Sequence, residues 1–474
     1  MKLPSHSYAI FFYSCLLLSS AGHAESLINP EISFVNPTRK PYAQVPADTT
    51  YSKKPVTVLV YGSARNDLMP FIDRNLTQLM QIGSNANITF LIHLDIFGPG
   101  RKKITRRFIV QKGSLLQVGD DMFMDSGDPA TLIDACRWGF GNFPSETTVL
   151  ILWNHGTGDL EPFQGRAINP SELFTYNPNN RMIELNRKIE FLDYVTTPQE
   201  KLSLRGICFD EGTGHFITNS QVGKALEFIK NTVLKGNPID ILCTDACLMQ
   251  GIGFAYSLKP YHKAPVARYL IGSQEVVLAT GYPYTHMFGK IAQQAMTPAD
   301  FGTHTVQAFS NAYSRITNDY TQSAINLEKM DVIYEIVDNI AITLTNAMNN
   351  EQGASVRRLI QRCSSREQCT YFEEPTYKDL VHFCSNLIAN ISSARLINPL
   401  DTEMFKQHLT QQVNRLIQEL QQVITANMVG GNLKQATGLS IYIPERKIDP
   451  SYATTDFAKN SSWFTMIKTY LNSK

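Results

Sequence analysis

The sequence has almost no excess of one charge. Across 474 residues, 43 Lys and Arg stand against 42 Asp and Glu, a formal net charge of +1. That balance removes the general argument for attraction to nucleic acid or to an anionic membrane surface. No apolar run reaches the roughly 20 residues a membrane-spanning helix needs, and there is no repeat of fixed period or low-complexity tract. HExxH is missing, no second CxxC or HxxxH accompanies Cys243 and Cys247, and no EF-hand loop appears. These absences argue against a zinc hydrolase and an EF-hand calcium protein. What is present is 43% hydrophobic and 18% charged residues, the profile of a folded chain of two or three domains rather than a disordered one.

The N-terminus reads as an address. Lys2 precedes the short apolar run Ala9–Leu18, broken only by Ser14, and Gly22-His23-Ala24 places small residues at the −3 and −1 positions of a cleavage site. Residues 1–24 are therefore expected to be a signal peptide cut near Ala24, with the mature protein secreted or periplasmic. Export changes how the cysteines read. Without Cys15, Cys136, Cys208, Cys243, Cys247, Cys363, Cys369 and Cys384 remain, an odd number in an oxidising compartment. Cys363 and Cys369, close in sequence and polar-flanked, are the expected bridge. Cys136 and Cys243 read as small buried hydrophobes.

Short β-branched runs at 57–62, 88–95, 147–153, 239–246 and 268–272 read as strands, and their near-continuous apolarity fits a parallel sheet covered on both faces. Helical stripes lie between them. One is Leu68, Ile72, Leu76 and Leu79. Another opens at Asp128-Pro129, an N-cap followed by proline at the first helical position. A third, Val222 to Val233, stops before Gly236. The alternation argues an α/β sandwich. From about 295 to 430 the pattern turns helical, clearest in the stripe from Phe405 to Val423. The strand at 438–444 is expected to return to the first sheet.

Two strands run into reactive residues, one into His155 and one into Cys247. In open α/β sheets ligands bind at the carboxyl ends of the strands. Were these strands neighbours, an imidazole would stand beside a thiol. A thiolate is the nucleophile, and an adjacent imidazole both activates it and protonates a leaving amine. Gly156, lacking a Cβ, would let a substrate carbonyl approach, and its N–H with that of Cys247, at the start of the next helix, would form an oxyanion hole. Asp245, two residues before Cys247, would share its face and offer a carboxylate to a guanidinium. His93 reads as a core or rim histidine, and His215 as a loop residue.

The strings Ile151-Leu152-Trp153-Asn154-His155-Gly156-Thr157-Gly158 and Asp245-Ala246-Cys247-Leu248-Met249 resemble the clostripain-like cysteine peptidases, in the clan of caspases, gingipains and legumain. The resemblance extends to Tyr61, Asn66 and Leu68, to Phe209–Gly214, to Ser273-Gln274-Glu275 and Gly281-Tyr282-Pro283-Tyr284, and to Thr376–Leu380, Gly438–Pro444 and Trp463, about 55–470 in all. Thr157 replaces the family's usual glycine, and Tyr282 stands where Trp is common.

The resemblance implies a caspase-like α/β/α sandwich with a mostly parallel sheet. The catalytic domain would occupy 55–294, after an N-terminal extension at 25–54. A helical region at 295–430 and a returning strand and helix at 431–474 would follow. It implies a monomeric endopeptidase cutting peptides or proteins after Arg or Lys. His155 and Cys247 would be catalytic, and Asp245, Ser273 and Glu275 would bind substrate. No cofactor is required, and calcium is left open without a site. It also implies self-cleavage between His155 and Cys247, in the loop-like stretch 158–205 carrying Arg166, Arg181, Arg187, Lys188, Lys201 and Arg205. A silent binding protein on the same fold, an esterase or transpeptidase using the same dyad, and a metal-dependent hydrolase are the alternatives.

Overall fold

A computed structural model describes residues 44–47, 49–160, 174–177, 182–185 and 206–472. The expected signal peptide lies outside the described residues, as do Arg166, Arg181, Arg187, Lys188, Lys201 and Arg205.

The frame is a ten-stranded sheet. Its strands are β1 (Gln44–Val45), β2 (Lys54–Ser63), β3 (Ile88–Phe97), β4 (Lys103–Gln111), β5 (Ser114–Val118), β6 (Ser145–Trp153), β7 (Ile239–Asp245), β8 (Ala267–Gly272), β9 (Thr321–Asn326) and β10 (Ile424–Val429). Their spatial order is β1-β5-β4-β3-β2-β6-β7-β8-β9-β10. From β3 to β8 every neighbouring pair is parallel. Antiparallel pairs flank this core, β4 and β5 on one side and β9 and β10 on the other.

The central strands carry Val, Ile and Leu on both faces because both faces are covered. Val58, Leu59 and Val60 are buried in succession, as are Val149 to Leu152 and Ile241 to Cys243. The helix Met69–Ile82 buries Ile72, Leu76 and Leu79. Pro129–Asn142 starts as its sequence dictates: the Asp128 side chain accepts the Ala130 N–H, with proline next in line. Asn219–Thr232 opens on a capping box between Thr218 and Gln221. The longest helix among the described residues, Pro399–Val423, buries Phe405, Leu409, Val413, Leu416, Leu420 and Val423, the six positions of its apolar stripe, and packs on Met330–Met348.

The C-terminal half differs from expectation in two respects. The segment at 438–444 does form a strand, Ser440–Tyr442, but it pairs with Tyr377–Asp379 in a separate two-stranded sheet. The strands that join the main sheet from this half are β9 and β10, inside the stretch read as helical. Residues 295–430 are thus built into the edge of the main sheet. Within 158–205, Phe174–Asn177 and Met182–Leu185 pair as a short hairpin where only loop was expected.

The expected Cys363–Cys369 bridge is absent, and both are free thiols. Each sulfur is turned to its own carbonyl, Cys363 Sγ 3.2 Å from Asn386 O and Cys369 Sγ 3.6 Å from Thr370 O. Cys136 and Cys243 are buried among apolar residues, as their helix and strand positions suggested.

Candidate active site

The parallel core gives the sheet one rim at which four neighbouring strands end. The chain leaves β2 into Asp67, β6 into His155, β7 into Cys247 and β8 into Ser273 and Glu275. β6 and β7 pair with Leu152 opposite Thr244 and Trp153 opposite Asp245. His155 and Cys247 each follow two residues past that last pair, so both loops leave the sheet at the same height. The Asn154 N–H donates to Asp245 O at 3.2 Å, carrying the pairing one step beyond the strands.

Gly156 sits directly against the cysteine loop. A Cβ there would lie 2.6 Å from Cys247 O and 2.8 Å from the Met249 side chain. The missing side chain is therefore required by the packing of the two loops, before any substrate enters. Cys247 itself lies in a turn between β7 and the helix Ile252–Leu258, five residues before that helix begins and not at its start as the sequence suggested. Leu248 takes φ +63°, a left-handed conformation that folds this turn back under the rim.

The thiol is covered. Cys247 is 1% exposed, and the Val277 N–H donates to its sulfur at 3.3 Å. The Leu248 N–H donates to Glu275 O and the Gln250 N–H to Ser273 O, so the segment after β8 is laced onto the cysteine turn. Burial pushes the Cys247 thiol up to about 12; the Val277 N–H acts in the opposite direction, and Glu275, Asp245 and Glu373 add to the rise. In this closed arrangement the sulfur is held protonated.

His155 is fully buried, and its Nε2 lies 2.7 Å from Asp67 Oδ1. Asp67 was not singled out by the sequence. The signal that would have found it is its place just past the carboxyl end of β2, the strand beside the histidine strand. His93 is a core residue, with its Nδ1 accepting from Arg107 Nε at 3.3 Å. His215 opens the strand His215–Thr218 and pairs with Asp125 at 2.6 Å.

Asp245 is buried behind the rim. The Tyr282 N–H and Tyr284 hydroxyl donate to its Oδ2 at 3.1 and 3.0 Å. Burial raises its carboxyl to about 7, against these two donors. Gly281 turns the chain over it with φ +64°, and a Cβ there would fall 2.9 Å from Asp245 Oδ2. Ser273 is also buried; its hydroxyl lies 3.0 Å from Thr321 Oγ1 and accepts the Glu275 N–H. Glu275 Oε1 accepts the N–H groups of Val276 and Glu373 at 2.7 and 3.0 Å, and burial raises its carboxyl to about 8. Glu275 and Val276 also line a cavity of about 520 Å³ that Asp319, Arg366, Glu373 and His382 help to form.

The clostripain family profile (Peptidase C11) matches residues 194–470, more than half of the chain. The chain belongs to the clostripain family. Cys247 and Asp245 fall inside the match, while His155 and Asp67 precede it. Clostripain of Hathewaya histolytica is 22% identical over 385 residues, which are 72% of this chain and 62% of that protein. The chain thus spans under two thirds of that relative's length. A secreted C11 cysteine protease from Bacteroides thetaiotaomicron, solved with an irreversible peptide inhibitor, has TM-score 0.53 and 15% identity, over 87% of this chain and 99% of that one. An inactive zymogen C11 protease from Parabacteroides distasonis gives 0.51 and 16%, over 88% and 99%. These likenesses establish the caspase-like sandwich of the clostripain family. Among the described residues no helix is long and apolar enough to cross a membrane.

A pH dependence of stability follows from Glu275. Its carboxyl is raised from an ordinary 4.5 to about 8, so the folded chain holds this proton where the unfolded chain has lost it. That contribution is complete below about pH 4.5 and is lost as pH rises through about 8. Glu275→Gln keeps the Oε1 acceptor but cannot ionise. It should raise the melting temperature at pH 8 and flatten the decline between about pH 5 and pH 8. Asp245 acts in the same direction and leaves a residual slope. Identical melting profiles with and without Glu275→Gln would assign the proton elsewhere.

Proposed function

We propose that the protein is an exported cysteine endopeptidase that cuts peptides and proteins after arginine or lysine through Cys247 and His155. The observation that carries this reading is the in-register parallel pairing of β6 and β7 in a chain of the clostripain family. The Cys247 thiol gives its proton to the His155 imidazole and the sulfur attacks the scissile carbonyl carbon. The oxyanion is received by the N–H groups of Gly156 and Cys247. The imidazolium returns the proton to the departing amine, leaving a thioester. Water, deprotonated by the same imidazole, then releases the acid and restores the thiol. This cycle draws on no cofactor; calcium, if bound, would act elsewhere in the molecule. The enzyme works as a monomer.

Asp245 receives the basic side chain before the scissile bond, reached once the turn at Gly281 yields. A guanidinium would draw its raised carboxyl back to the ionised form and pair with it in two-point fashion. Glu275 supplies a second acid to the pocket, and Ser273 acts on the pocket by bracing Glu275. Because Val277 covers the sulfur, the segment 276–279 must move before substrate can bind. The closed arrangement therefore corresponds to a latent enzyme.

Activation is by self-cleavage after a basic residue in 181–205. The strands on either side of such a cut are knitted together. Phe209 N–H donates to Asn154 Oδ1 at 2.7 Å, and Asn66 Nδ2 donates to Phe209 O at 2.9 Å. Arg65 pairs with Asp210 through Nε at 2.8 Å and Nη2 at 2.5 Å, both side chains fully buried. Wild-type protein should then run as two fragments on a denaturing gel and as one particle in native conditions, with Cys247→Ala a single inactive chain. Fully active wild-type protein that stays one chain would remove the activation step. Full activity in Cys247→Ala would remove the peptidase assignment at this site.

Specificity provides a separate check. Asp245→Ala leaves an incoming guanidinium without its partner in a buried site, at a cost of about 2–5 kcal/mol. That corresponds to a loss of roughly thirty- to several-thousand-fold in kcat/KM for arginine peptides. An unchanged kcat/KM would transfer the role to Glu275.

A further inference from the structure

We infer that Asp67 is a positioning residue for His155, so that the proposed dyad works as a Cys–His–Asp relay across three neighbouring strand ends. The inference rests on the assignment of Cys247 and His155 above and extends it to a residue that the family match does not reach.

Three observations support it. The contact is direct: His155 Nε2 and Asp67 Oδ1 are 2.7 Å apart, the histidine side chain is fully buried, and the aspartate side chain is 31% exposed. Both partners also stand on one backbone platform. Asn66 Nδ2, next to Asp67, donates to Ser63 O and Phe209 O, each at 2.9 Å. Asn154 Nδ2, next to His155, donates to the same two carbonyls. Asn66 Oδ1 further accepts the Leu68 N–H at 2.9 Å and so closes the turn that carries Asp67. The two flanking amides thereby hold carboxylate and imidazole at one fixed separation. Finally, the ring nitrogen that meets Asp67 is Nε2. A carboxylate accepting Nε2–H keeps the neutral ring protonated there and makes Nδ1 the atom that exchanges a proton with the thiol and the leaving amine. It also stabilises the imidazolium formed when Cys247 loses its proton.

A purely structural ion pair would predict a different response to substitution. Asparagine at 67 can still accept Nε2–H but carries no charge, and alanine can do neither. With an arginine peptide substrate, kcat should fall in the order wild type, Asp67→Asn, Asp67→Ala. The loss in Asp67→Ala should be roughly 10- to 1,000-fold, below the about 10⁴-fold seen for a fully buried triad aspartate because Asp67 is partly solvated. KM should stay within about twofold and the melting temperature should be unchanged, since the interaction is made in the reacting state. Wild-type kcat in Asp67→Ala, with His155→Ala inactive, would overturn the positioning role and leave the dyad standing. So would equal losses in Asp67→Asn and Asp67→Ala accompanied by a higher KM and a lower melting temperature. Retained hydrolysis in His155→Ala would remove the dyad reading itself, and this inference with it.

Discussion

The in-register pairing of β6 with β7 is the constraint on which the site depends. A parallel ladder fixes the relative height of two strand ends, and a slip of one residue would turn every side chain to the opposite face. Here both strands are buried on both faces by Val, Ile and Leu, so slippage would cost apolar packing throughout the centre of the sheet. The loops holding His155 and Cys247 therefore leave the rim together. Gly156 permits the remaining approach, because any larger residue would push the histidine loop off the Cys247 carbonyl. β2 and β8 extend the same rim on either side, bringing Asp67 to the imidazole and Glu275 to the cover over the thiol.

The cover has an energetic consequence. A sulfur removed from water strongly prefers to keep its proton, and the nearby carboxyl groups of Glu275, Asp245 and Glu373 add to that preference. One backbone N–H, from Val277, works the other way. Glu275 and Asp245 are themselves raised by burial, to about 8 and about 7, so the closed rim disfavours charge on all three groups. Opening the 276–279 segment would rehydrate the thiol and the carboxyls together. If Asp245 receives a basic side chain as proposed, that side chain would favour the ionised acid and so favour the open form. On this account substrate binding and activation of the nucleophile are coupled through shared desolvation rather than through a separate switch.

Much of this was legible in the amino-acid order, and the failures have identifiable causes. The five central strands announced themselves because burial on both faces leaves unbroken apolar runs. His155 and Cys247 were legible because each directly follows such a run. β9 and β10 were not. Thr321–Asn326 is mixed in polarity, and Ile424–Val429 follows the helix Pro399–Val423 with no glycine or proline to mark the change. Periodicity identified Ser440–Tyr442 as a strand but carries no information about its partner, which is Tyr377–Asp379. Proximity in sequence suggested a Cys363–Cys369 bridge, yet the first ends a helix and the second lies in the turn after it, each facing a different carbonyl. Asp67 escaped because a single carboxylate far along the chain from its histidine leaves no spacing pattern, and only the order of the strands brings them together.

The central claim is that the buried sulfur of Cys247 becomes the reacting atom once the rim opens to a basic substrate. Mass-spectrometric mapping of the adduct formed by a thiol-reactive peptide ending in arginine tests it most directly. The account predicts stoichiometric modification of Cys247, in step with loss of activity and slowed by an arginine peptide, with the other buried cysteines untouched. Complete inactivation with the label on another residue, or undiminished hydrolysis with Cys247 fully modified, would contradict it.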